Sequence, residues 1–284
     1  MDKISPPGIK RKGAIIGEQY FITSLELVYS RMEHEEIKAN LDAYWRSISS
    51  LWKECMNENV KKYSLQRGVG AVVFHGIFPF IHSIADQSLK AVNVKSFGTI
   101  LKPIRKTFSP DYWAKGGPAK SASSKGAQAN LIHDMLTCLL FKGKKVSMKK
   151  LGEIKNKLYK KAKQNKGEKA LEAAFKLIPL RNFQPFTAKE VNNIDAGATG
   201  GYILYSYNKQ KLYVGRSDKA DLKDRLMQHI QNKEEDYCLF NYRLCKEPSE
   251  AYKLECAIYH SIPTEILLNK EHPSSVGAHT FPFC

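Results

Sequence analysis

No two cysteines in this chain stand at CxxC spacing, although there are six: Cys55, Cys138, Cys238, Cys245, Cys256 and Cys284. A local dithiol motif is therefore excluded, and 284 residues are enough to build a stable core without disulfides. The cysteines read as small buried hydrophobes in a reducing, cytoplasmic compartment. Acidic residues are also scarce, 28 against 45 Lys and Arg, which leaves a formal charge of +17. That imbalance points to a polyanionic partner, either nucleic acid or an anionic membrane surface. The opening MDKISPPGIKRKG lacks the apolar stretch of a signal peptide and reads as a mobile basic arm. Only one long run is uncharged, from Gly68 to Ala85. It carries three glycines, Pro79, His75 and His82, which are costly in lipid, so a buried core segment is expected and no membrane partner. No internal repeat is evident. A content of 43% hydrophobic and 11% aromatic residues excludes wholesale disorder.

The positive charge is unevenly placed. From Ala196 onward, 11 basic residues meet 11 acidic ones, so the whole excess lies in residues 1–195. Between Lys102 and Lys169, 18 basic residues face only Asp111, Asp134, Glu153 and Glu168. This exceeds what solubility requires and predicts a polyanion contact, with a solvated lysine-rich surface as the plainer alternative.

Apolar spacing from Glu18 to Cys55 is helical, with Ile37, Leu41, Tyr44, Trp45, Ile48 and Leu51 at steps of three and four. The run 68–85 is expected to be a buried helix broken near Pro79. Residues 107–127, rich in Gly, Pro and Ser, read as an exposed loop. Two helices are expected at about 128–141 and 148–164, the second capped by Ser147. Leu151, Ile154 and Leu158 give the second an apolar side, and Lys149, Lys150, Lys157, Lys160 and Lys161 lie on its basic side. The pair is either a helix-turn-helix-like unit or a surface helix whose lysine stems cover neighbouring apolar area. A further helix is expected at 167–177. The polar stretch 181–199 reads as a linker between a basic, mainly helical region, 1–180, and a distinct module, 200–284.

In that module GYILYSY and KLYVGRS read as two strands joined by NKQ. DLKDRLMQHI is an amphipathic helix with Leu222, Leu226 and Ile230 on one side. Cys238 to Cys245 is a third strand, and Ser249 is placed to cap a helix through EAYKLECAIYHSI. The expected class is α+β: a mostly helical basic region, then a three-stranded antiparallel sheet flanked by helices.

This order, with these residues, resembles the GIY-YIG nuclease family. Gly200-Gly201-Tyr202 stands where the first tripeptide belongs and Tyr213-Val214-Gly215 where the second belongs. Arg225 in DRLMQH is similar to the segment carrying the family's essential arginine, with His229 one helical turn later. Glu255 in AYKLECAIYH matches the metal-binding glutamate, and Asn269 in LLNKEHP the terminal asparagine. The tail resembles a bacterial subset with an NxxHP segment and a Pro-x-Cys element. Singly these residues are ordinary; six in the right order are not.

The resemblance implies a metal-dependent DNA endonuclease acting on double-stranded DNA, with the basic region supplying affinity or targeting. Glu255 would hold one Mg2+ or Mn2+. Tyr202 or Tyr213 would deprotonate or orient the water, Arg225 would stabilise charge at phosphorus, and Asn269 would buttress the site. His229 would contact phosphate or shuttle a proton, with His272 as a substitute or as part of a turn. Arg216 and the lysines 149, 150, 157, 160 and 161 are expected DNA contacts. The sequence departs from the pattern in three places: glycine at 201 is expected to loosen the first strand, 216–224 is longer than usual, and FPFC holds one cysteine where relatives carry a CPxC pair, against a zinc site there. A toxin or effector nuclease, an inactive DNA-binding protein and a membrane-surface binder remain as alternatives.

Overall fold

Residues 4–5, 16–56, 59, 61–140, 153–154, 156–160, 168–177, 183–218, 221–232 and 236–274 are described by the computed structural model. The chain divides into two compact units, Met1–Leu140 and Phe141–Cys284.

In the first unit a short parallel pair, β1 (Ile4–Ser5) and β2 (Ile16–Gly17), precedes the helices. The expected helical stretch is two helices, α1 (Glu18–Tyr29) and α2 (His34–Leu51). The uncharged run forms α3 (Gly68–Leu89), which packs against α1, against α4 (Val94–Thr107) and against α6 (Lys125–Leu140). It is continuous through Pro79, contrary to the expected break. Proline in a helix costs about 3 kcal/mol. Here Phe74, Ile77, Phe78, Ile81 and Ile84 are all buried, and seating them on one helix outweighs the lost backbone bond. This helix is long and apolar enough to cross a membrane, yet 89% of its apolar window is buried inside the fold.

Polar groups along α3 find partners. His75, fully buried, accepts from Trp45 Nε1 at 3.0 Å through Nε2, and its Nδ1 lies 2.8 Å from Ser24 Oγ. Burial holds its pKa down at about 4, so it is a neutral core histidine. Residues 107–127 are more ordered than their composition predicts. They carry α5 (Pro110–Trp113) and a 3-10 turn at Pro118–Ser121, and Trp113, Ala119 and Ala122 plug the core.

The second unit begins, among its described residues, with helical segments at 153–154 and 156–160, where Lys157 and Lys160 are exposed. Ser147, Lys149, Lys150 and Lys161, and the turn of the expected helix-turn-helix, lie outside the described residues. Next come α7 (Glu168–Leu177), β3 (Gln184–Pro185) and α8 (Ala188–Asn192). The stretch expected as a linker is thus built into this unit. Phe186, Val191 and Ile194 are buried in its core, and Thr187 caps α8 by accepting from Glu190 N.

Then follow β4 (Thr199–Ser206), β5 (Lys211–Ser217), α9 (Leu222–Asn232), β6 (Tyr237–Cys245) and α10 (Pro248–Ser261). The sheet is antiparallel in the order β3-β6-β4-β5, four strands where three were expected. The added strand is only two residues long and belongs to a segment too polar to read as a strand. Leu222 and Leu226 of α9 share a core with Tyr202 and Leu204 on one sheet face. The odd-numbered positions of β4 face the other way, where Leu254 of α10 lies against Gly201. Helix α10 starts at Pro248 with Glu247 as N-cap, not at Ser249, because proline at the first helical position has its φ already set.

Candidate active site

Strand register decides where the two tyrosines point. Tyr202 pairs with Gly215 and Leu204 with Tyr213, so Tyr202 and Tyr213 are diagonal neighbours on one sheet face. Their ring centroids lie 6.3 Å apart. A Cβ at Gly215 would collide with the ring and hydroxyl of Tyr202, so the absent side chain makes room for that ring. At Gly201 a Cβ would press on Leu254, while its pairing to Arg216 and Arg243 is intact. Glycine at 201 therefore does not loosen the strand as expected; it lets α10 approach the sheet closely.

Helix α9 supplies the next layer. Arg225 and His229 stand one turn apart and face the same aromatic surface. The His229 ring makes edge contacts with Tyr202, Tyr213 and Tyr237, with centroids 5.7, 5.4 and 5.9 Å away. Its Nε2 is 2.9 Å from the Tyr202 hydroxyl. From α10, Glu255 is buried and ion-paired with Arg216. Arg216 also donates from Nε to Asp218 at 2.8 Å and from Nη2 to the Ser274 carbonyl at 3.0 Å, and its guanidinium stacks over Tyr252.

The segment after α10 closes the arrangement. Asn269 clips onto β5: its Oδ1 accepts from Val214 N at 2.8 Å and its Nδ2 donates to Val214 O at 2.7 Å. Tyr202, Tyr213, Arg216, Arg225, Glu255 and Asn269 all line one cleft of about 780 Å³. His229 meets the cleft through its contact with the Tyr202 hydroxyl, and His272 lines it directly.

Residues 199–271 match the family model of the GIY-YIG catalytic domain. The C-terminal unit carries a GIY-YIG nuclease domain. No curated protein and no solved structure matches the chain. A nuclease domain implies a nucleic acid substrate.

The electrostatics of the GIY-YIG cleft are asymmetric. Burial pushes the Tyr202 phenol well above its usual range, and nearby Arg225 offsets this only in part. The phenols in turn raise Arg225 further, Tyr202 first, so it stays charged at any working pH. Burial and then Arg225 hold His229 down at about 4, leaving it neutral near pH 7. Burial raises Glu255, and Arg216 opposes that shift. A carboxylate so desolvated gains from a second cation, and its oxygens are the hard donors that Mg2+ and Mn2+ prefer, so the residues present fit such an ion.

Two participants escaped the sequence reading. Tyr237 lines the cleft and completes the aromatic surround of His229. It precedes the expected third strand by one residue, and nothing in its local pattern distinguishes it from core. Asp218, the second partner of Arg216, lies in the turn after β5. Its position two residues beyond an arginine was the only available signal.

Proposed function

We propose that the chain is a metal-dependent DNA endonuclease that hydrolyses phosphodiester bonds in double-stranded DNA. The observation that carries this reading is the meeting of two tyrosines, Arg225, Glu255 and Asn269 on one cleft. A divalent cation held by Glu255, Mg2+ or Mn2+, would supply Lewis-acid stabilisation of the scissile phosphate and the leaving oxygen.

The chain's own groups divide the remaining work. Arg225, charged and beside both phenols, stabilises negative charge developing at phosphorus. Tyr202 is too buried to persist as a phenolate, but neutral His229 lies within hydrogen-bond reach of its hydroxyl. As the phenol oxygen takes a proton from the attacking water, its own proton passes to His229 Nε2. Tyr213, half-buried on the same face, orients that water. Asn269 fixes β5, and with it Tyr213 and Gly215.

Supercoiled plasmid incubated with the full chain in Mg2+, Mn2+ or EDTA tests this directly. Cleavage is expected in either metal and not in EDTA, with Arg225→Ala slower by roughly 10²–10³-fold. His229→Gln is expected to be slower as well, and full-rate cutting by it would remove the proton relay. DNA binding without cutting by the wild-type chain would instead support an inactive DNA-binding protein.

The excess positive charge of the first 195 residues supplies the affinity that the net-neutral remainder lacks. Exposed Lys157 and Lys160 are within this reading phosphate contacts. Replacing each with alanine is expected to reduce the slope of log affinity against log salt by about one unit. An unchanged slope would assign those lysines to solvent alone.

A further inference from the structure

Helix α10 carries a second constellation, of which only His272 also lines the cleft. Cys256 and His260 stand four residues apart on one helical face. His272, beyond the clip made by Asn269, comes back to meet them. One ligand atom from each of the three lies within 4.8 Å of the other two. A tetrahedral zinc site with these donors needs ligand atoms roughly 3.3–3.6 Å apart, from Zn–N and Zn–S lengths of about 2.0 and 2.3 Å. The gap is closed by side-chain rotation. Cys256 is buried and His260 half-buried, whereas His272 is exposed and has room to adjust.

The protonation pattern agrees. His272 Nδ1 lies 2.9 Å from the carbonyl of Pro273, which can only accept, so Nδ1 carries the proton and donates. In the neutral ring the Nε2 then carries the lone pair, and this atom lies 2.9 Å from His260 Nε2. A histidine whose far nitrogen donates to a backbone carbonyl is the usual supported form of a metal-bound imidazole. A cation placed here would take a lone pair from each ring and the Cys256 thiolate.

We propose that Cys256, His260 and His272 form a site for a borderline-soft divalent cation, zinc above all, distinct in donor type from the carboxylate in the cleft. Thiolate and imidazole select zinc over Mg2+ or Mn2+. These three are the protein ligands among the described residues, with water completing the tetrahedron. The site fastens the segment bearing Asn269 and His272 to α10 and so holds one wall of the cleft.

Cobalt(II) is the probe, because a cysteine thiolate bound to it gives a near-ultraviolet charge-transfer band. The full chain, stripped with EDTA and then freed of chelator, is expected to bind one cobalt with that band. Zinc should displace it. Cys256→Ser should abolish the band and His272→Ala should weaken or remove it. Glu255→Gln and Cys245→Ser should keep it, which separates this site from the metal of the cleft. Absence of the band in the folded wild-type chain, or its survival in Cys256→Ser, would overturn the proposal. His272→Ala changes an exposed residue, so a loss there is not explained by failure to fold.

Discussion

Glu255→Gln is expected to lower plasmid cleavage in Mg2+ by about a hundred- to a thousandfold, the range seen when a main electrostatic contributor to a transition state is removed. The substitution keeps the shape of the side chain and one of its acceptor oxygens. It removes the negative charge that makes the position a hard-cation ligand in a desolvated cleft. Arg216 loses its partner on α10 but keeps Asp218 and the Ser274 carbonyl. The cost in stability should therefore fall short of the roughly 3–5 kcal/mol of a wholly broken buried pair. Cleavage rates, with gel-shift affinity in Ca2+ as the control for DNA binding, separate the two effects. Cutting within tenfold of wild type would show that Glu255 does not hold a catalytic metal.

Gly215→Ala carries the next largest effect, although the residue has no side chain to lose. The added methyl lands inside the Tyr202 ring and hydroxyl. Tyr202 cannot retreat, because its face of the sheet is filled by Leu222, Leu226 and the His229 ring. Either the hairpin separates locally or the phenol leaves His229. Overpacking of this kind costs about 1–3 kcal/mol of stability, and an ångström of misplacement at a reacting group costs about 10²-fold in rate. The expected variant is folded, melts at a lower temperature and cuts about a hundredfold more slowly. Normal activity with an unchanged melting temperature would show that the ring does not need its place over Gly215.

The fold of the C-terminal unit was readable where alternation and helical spacing are strong. GYILYSY and KLYVGRS are strands, and Leu222 and Leu226 mark the buried side of α9. Register was not legible: NKQ taken as a three-residue turn pairs Tyr213 with Tyr205, whereas the observed turn at 207–210 pairs Tyr213 with Leu204 and so puts tyrosines 202 and 213 on one face. What stayed hidden depends on partners distant in sequence. The cradle of Gly215 exists only because Tyr202 lies opposite, and the role of Gly201 follows from Leu254 of α10. Residues 183–194 mix buried Phe183, Phe186, Val191 and Ile194 with polar neighbours in no single period, so they read as a linker. In the first unit, Pro79 argued for a break that the burial of α3 overrides. Trp113, in a Gly- and Pro-rich stretch, gave no hint that it fills the core.

Asn269 has a consequence beyond the cleft. Strand β5 is an outer strand of the sheet, and its outward N–H and C=O groups would otherwise invite another extended chain to pair with them. Leu268 donates to Leu212 O and the Asn269 amide meets both backbone groups of Val214, so this border is already occupied. At the opposite border β3 is two residues long and ends in Pro185, which has no N–H to offer. Among the described residues both borders of the sheet are thus blunted against strand addition, one by the returning chain and the other by its shortness and its proline.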